Sequence, residues 1–151
     1  MVDGRLDPNC IFCKIAAGRI PARVVAQNER AMAILDAFPL AEGHTLVIPK
    51  SHAAKLQDMG RQDAQAVFEL LWQVSGAVEA AAQTKASTIA IHNGSKAGQE
   101  IPHVHVHVIP RKKGDGAGPV HSMFQSRPRL DSEAMDSLRD RIAAAAEPAA
   151  K

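Results

Sequence analysis

Short apolar runs alternate with two long amphipathic stretches along the chain, a pattern that predicts both strands and helices. Apolar residues from 11 to 17, followed by Gly18, are typical of a short helix with a glycine stop. Strands are predicted at residues 23–27, 31–35, 44–48, 87–92 and 103–109, with further helices at about 61–83 and from Asp131 onward. Strands joined by hairpins and flanked by helices predict an α+β fold. We expect an antiparallel sheet of about five strands, one long helix, a shorter N-terminal helix and a C-terminal helix.

Both long predicted helices have one apolar face, because apolar residues recur at spacings of three and four. In the first of them this face comprises Val67, Leu71, Val74, Val78 and Ala81. Phe68 and Trp72 lie near that face, where core packing or a subunit contact is favoured over a ligand role. In the C-terminal helix the shared face comprises Met135, Leu138 and Ile142.

Composition and charge exclude several classes of protein. The 151 residues suit one domain, and 46% apolar with 23% charged residues is the balance of a folded soluble protein. A net charge of +2 is too small to indicate a nucleic-acid surface, and no segment is apolar for long enough to cross a bilayer. Cys10 and Cys13 stand close together, which favours reduced thiols or metal ligands over a disulfide framework. We therefore expect a cytoplasmic protein without nucleic-acid or membrane partners.

The most informative segment is the predicted strand at residues 103–109, where His103, His105 and His107 alternate with valines. Side chains alternate between the faces of a strand, so the imidazoles share one face and the valines face the core. A solvated strand that carries histidines by chance is one interpretation. A single metal held by all three is another, but about 13 Å of strand separates His103 from His107, too far for both to reach one ion. Different roles for the three histidines are favoured.

Histidine chemistry suits attack at phosphorus near neutral pH, because a neutral imidazole is available without a strong base. His105 is central and is the predicted nucleophile, while His107 would share the charge of the phosphate. Arg111 follows the strand and would either meet a phosphate or lie in a solvated loop. The residues thus predict phosphoryl or nucleotidyl transfer through a phosphohistidine-type intermediate. Upstream, the loop from Asn93 to Glu100 would offer amide donors and the Gln99 side chain to phosphate oxygens.

These residues together resemble the histidine-triad (HIT) family, whose signature of three histidines alternating with apolar residues is complete from His103 to Ile109. The likeness extends to Cys10-Ile-Phe-Cys-Lys-Ile15, Ile20-Pro21-Ala22, Leu35-Asp36, Gly43-His44-Thr-Leu-Val-Ile-Pro-Lys50, His52, Asn93-Gly94 and Gly98-Gln99. The tract Ile109-Pro-Arg111 with Lys113-Gly-Asp-Gly116 is similar to the bacterial, Hint-like branch. We expect a single HIT domain over residues 1–151, with a core at about 10–118 and a C-terminal extension at 119–151.

The resemblance implies a homodimer with one purine-nucleotide site per subunit and no organic cofactor. It implies that His105 attacks the α-phosphorus, that His107 contacts the phosphate and that His44 supports the triad from a neighbouring strand. Asp36 would accept hydrogen bonds from the ribose hydroxyls, although aspartate is common at such a turn. The remaining implied substrate contacts are Phe12, Ile15 and Ile34 around the base, which would otherwise be ordinary core, and Asn93 and Gln99 at the phosphate or bridging atom.

Some members of the family bind a structural zinc, and the matching residues here are Cys10, Cys13, His52 and His103. A Cys₂His₂ site would be closed, so catalysis would not depend on a metal-bound water. The alternative is a pair of reduced thiols that pack near the surface.

Three functions stay open at this point. The first is phosphoramidase-like hydrolysis of nucleoside phosphoramidates or related nucleotidyl substrates. The second is hydrolysis of dinucleoside polyphosphates, and the third is nucleotide-dependent regulation without turnover. Glu100 stands where eukaryotic members often have serine, and Pro102 constrains the same loop, so the leaving-group preference is not fixed.

Overall fold

The computed structural model describes residues 5–146, and the ends of the predicted 1–151 domain lie outside that range. The described residues divide into two compact units, 5–115 and 116–146. The first unit contains α1 (Ile11–Ala16), β1 (Val24–Gln27), β2 (Ala31–Leu35), β3 (Thr45–Pro49), α2 (Arg61–Ala81), β4 (Ser87–Ala90) and β5 (Val106–Pro110). The second contains α3 (Ser132–Ala146). The predicted α+β class and its complement of strands and helices are confirmed.

The five strands form one sheet in the order β1-β2-β3-β5-β4, and every neighbouring pair is antiparallel. In this order β5 lies between β3 and β4. Leu46 of β3 and Ala90 of β4 are both in register with His107. Residues two positions away share the same face, so His44 and His92 lie beside His107. The strand order, which the sequence did not predict, therefore gathers histidines from three segments.

The valine face of β5 packs against α2, as the alternation predicted. Val106 and Val108 are fully buried in one cluster with the inner face of α2, which consists of Val67, Leu70, Leu71, Val74 and Val78. The predicted face was wrong at one position, because Ala81 is exposed and the adjacent Ala82 is buried instead. Residues with the opposite parity pack with α1 on the other side of the sheet, in a second cluster that includes Phe12, Ile34, Leu46 and Ile48.

The predicted strands at 23–27 and 31–35 form a hairpin with a three-residue loop, and one side chain closes it. Asn28 Oδ1 accepts hydrogen bonds from the backbone N–H groups of Arg30 (3.0 Å) and Ala31 (2.7 Å). Asn28 also donates to Ala66 O of α2 at 2.9 Å, so the turn is tied to the helix. Asparagine is common in turns because its side chain can form hydrogen bonds to the backbone N–H groups there.

The fifth strand begins later than predicted, at Val106 rather than at His103. Val104 N donates to Ala53 O at 2.8 Å, so this part of the chain bonds to the segment after β3 rather than to the β3 ladder. The alternative interpretation of a solvated strand is wrong for two of the three histidines. His103 is fully buried and His105 is 8% exposed. Each of these imidazoles bonds to a backbone carbonyl, His103 Nε2 to Pro49 O and His105 Nδ1 to His103 O.

Two aromatic side chains of α2 do not contribute to the core. Trp72 is 83% exposed and Phe68 is 45% exposed, so the core-packing interpretation of these two residues is wrong within one subunit. In the second unit, Met135 and Ile142 of α3 are exposed too, and Asp131 caps this helix by accepting a hydrogen bond from Ala134 N at 2.8 Å. Among the residues described, no helix has the length and apolar character needed to cross a membrane.

Candidate active site

One hydrogen bond fixes the protonation geometry of His105. Its Nδ1 lies 2.7 Å from the carbonyl oxygen of His103, and a carbonyl only accepts, so Nδ1–H is the donor. In a neutral imidazole the lone pair is then on Nε2. The rings of Phe12 and His107 flank this imidazole, with centroids 5.2 and 4.9 Å away. His105 is thus held in place by its Nδ1–H, with the lone pair on Nε2.

A chain of hydrogen bonds also assigns the protons of His44 and His107. The backbone N–H of Leu40 donates to Nδ1 of His44 at 3.0 Å, so His44 carries its proton on Nε2 when neutral. His44 Nε2 lies 2.9 Å from His107 Nδ1 and is the donor in that pair. His107 therefore carries its proton on Nε2. That buried nitrogen has no hydrogen-bond partner among the described residues, which is unusual for a buried donor.

Burial keeps these two histidines neutral near pH 7. Burial, together with the smaller effects of His105, His44 and His92 in the same direction, lowers the pKa of His107 from 6.5 to about 4. Burial also lowers the pKa of His44, although the carboxylate of Asp36 opposes that shift. A neutral His107 offers one N–H rather than a cation. The unpartnered Nε2–H is therefore a preformed donor for an anionic oxygen.

The expected nucleoside contacts lie at two places around the histidines. Asp36 follows β2, accepts a hydrogen bond from Phe38 N at 2.8 Å through Oδ1, and has Oδ2 3.6 Å from His44 Nδ1. Phe12 and Ile34 are buried, and Ile15 packs partly buried against the same cluster. The structure thus brings all four predicted contacts to the histidine side of the sheet, with Phe12 and Ile34 part of the core there.

The two predicted phosphate ligands in the loop before the histidines, Asn93 and Gln99, already make hydrogen bonds to other protein atoms. Gln99 Nε2 donates to Ala54 O (2.7 Å) and Ile101 O (3.0 Å), while its Oε1 accepts from Gly94 N (2.8 Å). Asn93 Oδ1 accepts from Leu56 N at 2.8 Å. Both side chains join this loop to the segment after β3. Their contact with phosphate stays a prediction, and it requires these bonds to be exchanged.

Four predicted metal ligands meet at one point, with one donor atom each lying within 4.8 Å of all the others. His103 Nδ1 lies 3.4 Å from Cys10 Sγ and 3.6 Å from Cys13 Sγ, and His52 Nδ1 lies 3.4 Å from Cys13 Sγ. A tetrahedral zinc with bonds of about 2.3 Å to sulfur and about 2.0–2.1 Å to nitrogen separates S and N by about 3.6 Å. The spacing of these donors therefore fits a tetrahedral ion.

Bonds around the four ligands favour the same interpretation. His103 Nε2 donates to Pro49 O at 2.9 Å, which turns the unprotonated Nδ1 toward the sulfurs. Asp7 N donates to Cys13 Sγ at 3.4 Å. Burial raises the pKa of the Cys13 thiol to about 11, so a thiolate here requires a cation beside it. The chemistry of this donor set, sulfur with oriented imidazole, is that of a structural zinc site.

The HIT domain family model matches residues 17–114, which include all five strands of the sheet, His44 and the three alternating histidines. The chain belongs to the HIT family. This confirms the family predicted from the motif and its flanking segments. The match ends one residue short of Asp115, the last residue of the first compact unit.

Individual HIT proteins resemble the chain over most of its length. A HIT family protein of Bacillus subtilis, known from a crystal structure, is 34% identical, covers 95% of this chain with 99% of its own, and has a TM-score of 0.81. The adenylylsulfatase HINT3 of Arabidopsis thaliana is 34% identical over 129 residues, which are 85% of this chain and 66% of the relative. A zinc-bound histidine triad family protein of Mycobacterium smegmatis is 31% identical, with 91% of this chain and 95% of that chain covered and a TM-score of 0.67.

Two neighbours of the HIT motif have roles that sequence reasoning missed or left open. The ring of His92 lies 5.5 Å from that of His107 and contributes to lowering its pKa. The sequence shows that His92 lies two residues after Ala90 of β4 and therefore on the same face of the sheet. The strand order was also needed to place that face beside His107. Arg111 donates to Asp115 at 2.7 Å and to Thr88 at 2.9 Å, so it ties the turn after β5 to β4.

Proposed function

We propose that the protein is a nucleotide-binding hydrolase that cleaves the α-phosphate bond of nucleoside phosphoramidates or related nucleotidyl substrates. It releases a nucleoside monophosphate, AMP or GMP, through a covalent nucleotidyl-His105 intermediate. The observation that carries this proposal is the 2.7 Å bond from His105 Nδ1 to His103 O, which leaves Nε2 as a directed nucleophile. The adenylylsulfatase name of the Arabidopsis relative supports chemistry at an adenylyl phosphorus.

The first half-reaction forms one bond to phosphorus and breaks another. His105 Nε2 donates its lone pair to the α-phosphorus, and the bond to the leaving group breaks with its electron pair on the departing atom. That atom takes up a proton from solvent. The positive charge that develops on the imidazole is stabilised by the His103 carbonyl at Nδ1, as the carboxylate does in other histidine catalysts. Water then attacks the same phosphorus and loses a proton to solvent, and the P–Nε2 bond breaks with its electron pair on the nitrogen, which returns His105 to its neutral state.

His107 supplies the group that stabilises negative charge. Its buried Nε2–H has no partner among the described residues, and His44 holds the opposite nitrogen. A non-bridging phosphate oxygen would complete this bond and satisfy the nitrogen. Because the donor is oriented before substrate arrives, little reorganisation is needed as charge develops. In this proposal His44 orients His107 through their hydrogen bond, and the backbone N–H of Leu40 orients His44 in the same way.

The nucleoside would lie between Asp36 and the α1 side of the site. The Asp36 carboxylate would accept hydrogen bonds from the ribose hydroxyls, and Phe12, Ile15 and Ile34 would contact the base. The loop residues Asn93 and Gln99 would approach the phosphate or the bridging atom. The position of Phe12, Ile15 and Ile34 in one cluster, and the 3.6 Å from Asp36 Oδ2 to His44 Nδ1, support the nucleoside part of this proposal.

Zinc would be held by Cys10, Cys13, His52 and His103, and it would serve folding rather than the reaction. Such a closed site cross-links the chain segments that provide its ligands. Here it would join α1 to the segments on either side of α2. The zinc-bound Mycobacterium smegmatis protein supports this assignment. We further propose a cytoplasmic homodimer in which the exposed Trp72 and Phe68 of α2 contact the partner subunit.

Steady-state hydrolysis tests the function. Wild type and His105→Ala are compared on an adenosine phosphoramidate and on diadenosine polyphosphates, with AMP release as the readout. We expect the phosphoramidate to be cleaved and His105→Ala to lose at least about a thousandfold in turnover while binding AMP within a few-fold. A preference for the dinucleotides would move the protein to polyphosphate hydrolysis. AMP binding without turnover of either substrate would identify a regulatory protein.

A further inference from the structure

The two cysteines of the chain stand at the start of α1, where both are buried and close together. Cys10 is the N-cap of α1 and Cys13 lies in its first turn. Their sulfurs lie within 4.8 Å of each other, and the chain contains no further cysteine. A Cys-x-x-Cys pair at a helix N-terminus is an arrangement that supports a reversible disulfide. The pair can therefore exist as two metal-bound thiolates or as a disulfide.

A cavity gives small molecules access to this pair. Its volume is about 160 Å³, and Cys13 forms part of its wall. One water molecule in the liquid occupies only about 30 Å³. Leu6, Ala17 and Arg19, which line the same cavity, are exposed, so the cavity opens to solvent. A molecule of the size of hydrogen peroxide can therefore enter beside Cys13.

The cysteine pair is joined to the proposed nucleophile in two ways. His103 turns Nδ1 toward the sulfurs, while its backbone carbonyl oxygen accepts the 2.7 Å hydrogen bond from His105 Nδ1. Phe12 lies between the two cysteines in the chain, and its ring centroid is 5.6 Å from that of His103 and 5.2 Å from that of His105. A disulfide holds its sulfurs only about 2 Å apart, so its formation draws the first turn of α1 together around Phe12. Both contacts that hold His105 therefore depend on the state of the cysteines.

We propose that Cys10 and Cys13 are an oxidation site, at which a peroxide that enters the cavity converts the pair to a disulfide, releases the metal and loosens the carbonyl that holds His105. This inference rests on the proposed function and adds regulation of the same site by oxidation. The reduced, metal-bound protein is the active form. The oxidised protein regains activity when a thiol reductant and zinc are supplied.

The reaction balances with hydrogen peroxide as the oxidant. The Cys13 thiolate attacks one peroxide oxygen, and the O–O bond breaks with its electron pair on the other oxygen, which leaves as hydroxide. The sulfenic acid formed on Cys13 is then attacked by the Cys10 thiolate, and its S–O bond breaks to release a second hydroxide. Two thiolates thus lose two electrons and one peroxide becomes two hydroxides. His52 and His103 alone do not retain the ion, because a structural zinc is held by four protein ligands.

The first test treats zinc-loaded wild type with hydrogen peroxide. A chromogenic chelator measures released zinc, and mass spectrometry measures the chain. We expect about one zinc released per chain, a mass lower by about 2 Da, and at least about a tenfold loss of turnover on an adenosine phosphoramidate. Dithiothreitol with zinc should reverse all three changes, whereas methionine sulfoxide requires an enzyme for its reduction. Retained zinc, an irreversible loss of turnover, or zinc release with full turnover would overturn the proposal.

Two alanine variants test entry through the cavity. Ala17→Phe places a large side chain at the cavity wall and should slow peroxide-dependent zinc release about tenfold. Ala81→Phe makes the same change at an exposed position at the end of α2 and should release zinc at the wild-type rate. Zinc content before treatment and circular dichroism check that both variants are loaded and folded. Equal rates in the two variants would overturn the proposed route.

Nitrogen NMR of the imidazoles separates failure of the oxidation site from failure of the proposed function. Above neutral pH, His105 of the reduced, zinc-loaded protein should show the Nδ1–H tautomer, and the disulfide form should show both tautomers. Comparison with His105→Ala assigns the signal. An unchanged tautomer after disulfide formation would reject the connection to His105. Absence of AMP release by the reduced wild type would reject the hydrolase, while zinc release and the tautomer would still decide the oxidation site.

Discussion

His44 Nε2 lies 2.9 Å from His107 Nδ1, and this bond sets which nitrogen of His107 faces the site with a proton. The backbone N–H of Leu40 fixes the first ring, the first ring fixes the second, and the second presents an N–H with no partner among the described residues. A main-chain group in one loop thereby determines a donor on another strand. In the proposed function His44 is therefore a positioning residue, and its effect should be measurable separately from that of His105.

Removal of the His44 imidazole should lower kcat more than it changes KM. His44→Ala leaves His107 Nδ1 without a donor and allows either tautomer, so we expect kcat to fall about tenfold to a hundredfold. His44→Gln places an amide N–H near the position of Nε2 and should recover part of the loss. Steady-state kinetics on an adenosine phosphoramidate provide the measurement. Equal kcat values for the alanine and glutamine variants would show that the hydrogen bond is not what His44 contributes.

The stability of the protein should depend on pH through His107. Its pKa is lowered from 6.5 to about 4 when folded, so between these values the unfolded chain binds a proton that the folded chain does not. The free energy of unfolding should therefore decrease as pH falls through 6.5 toward 4, by roughly 1 kcal/mol per pH unit for this group. Urea unfolding of wild type and His107→Gln from pH 7 to 5 measures this pH dependence of the free energy of unfolding. The variant should show a shallower slope, and parallel slopes would contradict the prediction.

Metal analysis tests the Cys₂His₂ cluster. Protein purified without chelator should contain about one zinc per chain, and removal of zinc should lower Tm by roughly 10 °C, because metal binding contributes directly to folding. Cys10→Ser should reduce the zinc content and Tm together. Ser51→Ala, next to the ligand His52 but outside the donor set, is the matched control and should change neither. Zinc-free protein with an unchanged Tm would leave the cluster as two thiols packed against imidazoles.

The sequence predicted which residues of β5 face the core better than it predicted the surroundings of the histidines. Alternation alone identified Val106 and Val108 as core and set His107 on the opposite face, because the side-chain period of a strand is a local property. It did not predict that His103 and His105 are buried. Their partners, the Pro49 carbonyl for His103 and the His103 carbonyl for His105, depend on how the chain folds outside the β5 ladder.

Sequence patterns did not predict the contacts that depend on the order of the strands in the sheet. The proximity of His92 to His107 follows from β4 pairing with β5, which the sequence did not predict. The four-ligand cluster was predicted through the family resemblance rather than from Cys10 and Cys13 alone, since two cysteines at this spacing are compatible with several sites. The loop that contains Gln99 was predicted from the sequence, but the hydrogen bonds of Gln99 to Ala54 and Ile101 were not.

The exposed aromatic face of α2 should be a subunit contact. Trp72 is 83% exposed on a helix whose other face is buried in the core, and such a large apolar side chain is typical of an interface. Trp72→Glu would place a charge in that contact, so we expect the dimer to dissociate at micromolar concentrations while each chain stays folded. Light scattering coupled to size-exclusion chromatography gives the mass, and circular dichroism checks the fold. Gln62→Glu adds the same charge at an exposed position in the first turn of α2 and should remain dimeric. A wild-type monomer, or a Trp72→Glu dimer as stable as wild type, would show that this face does not hold the subunits together.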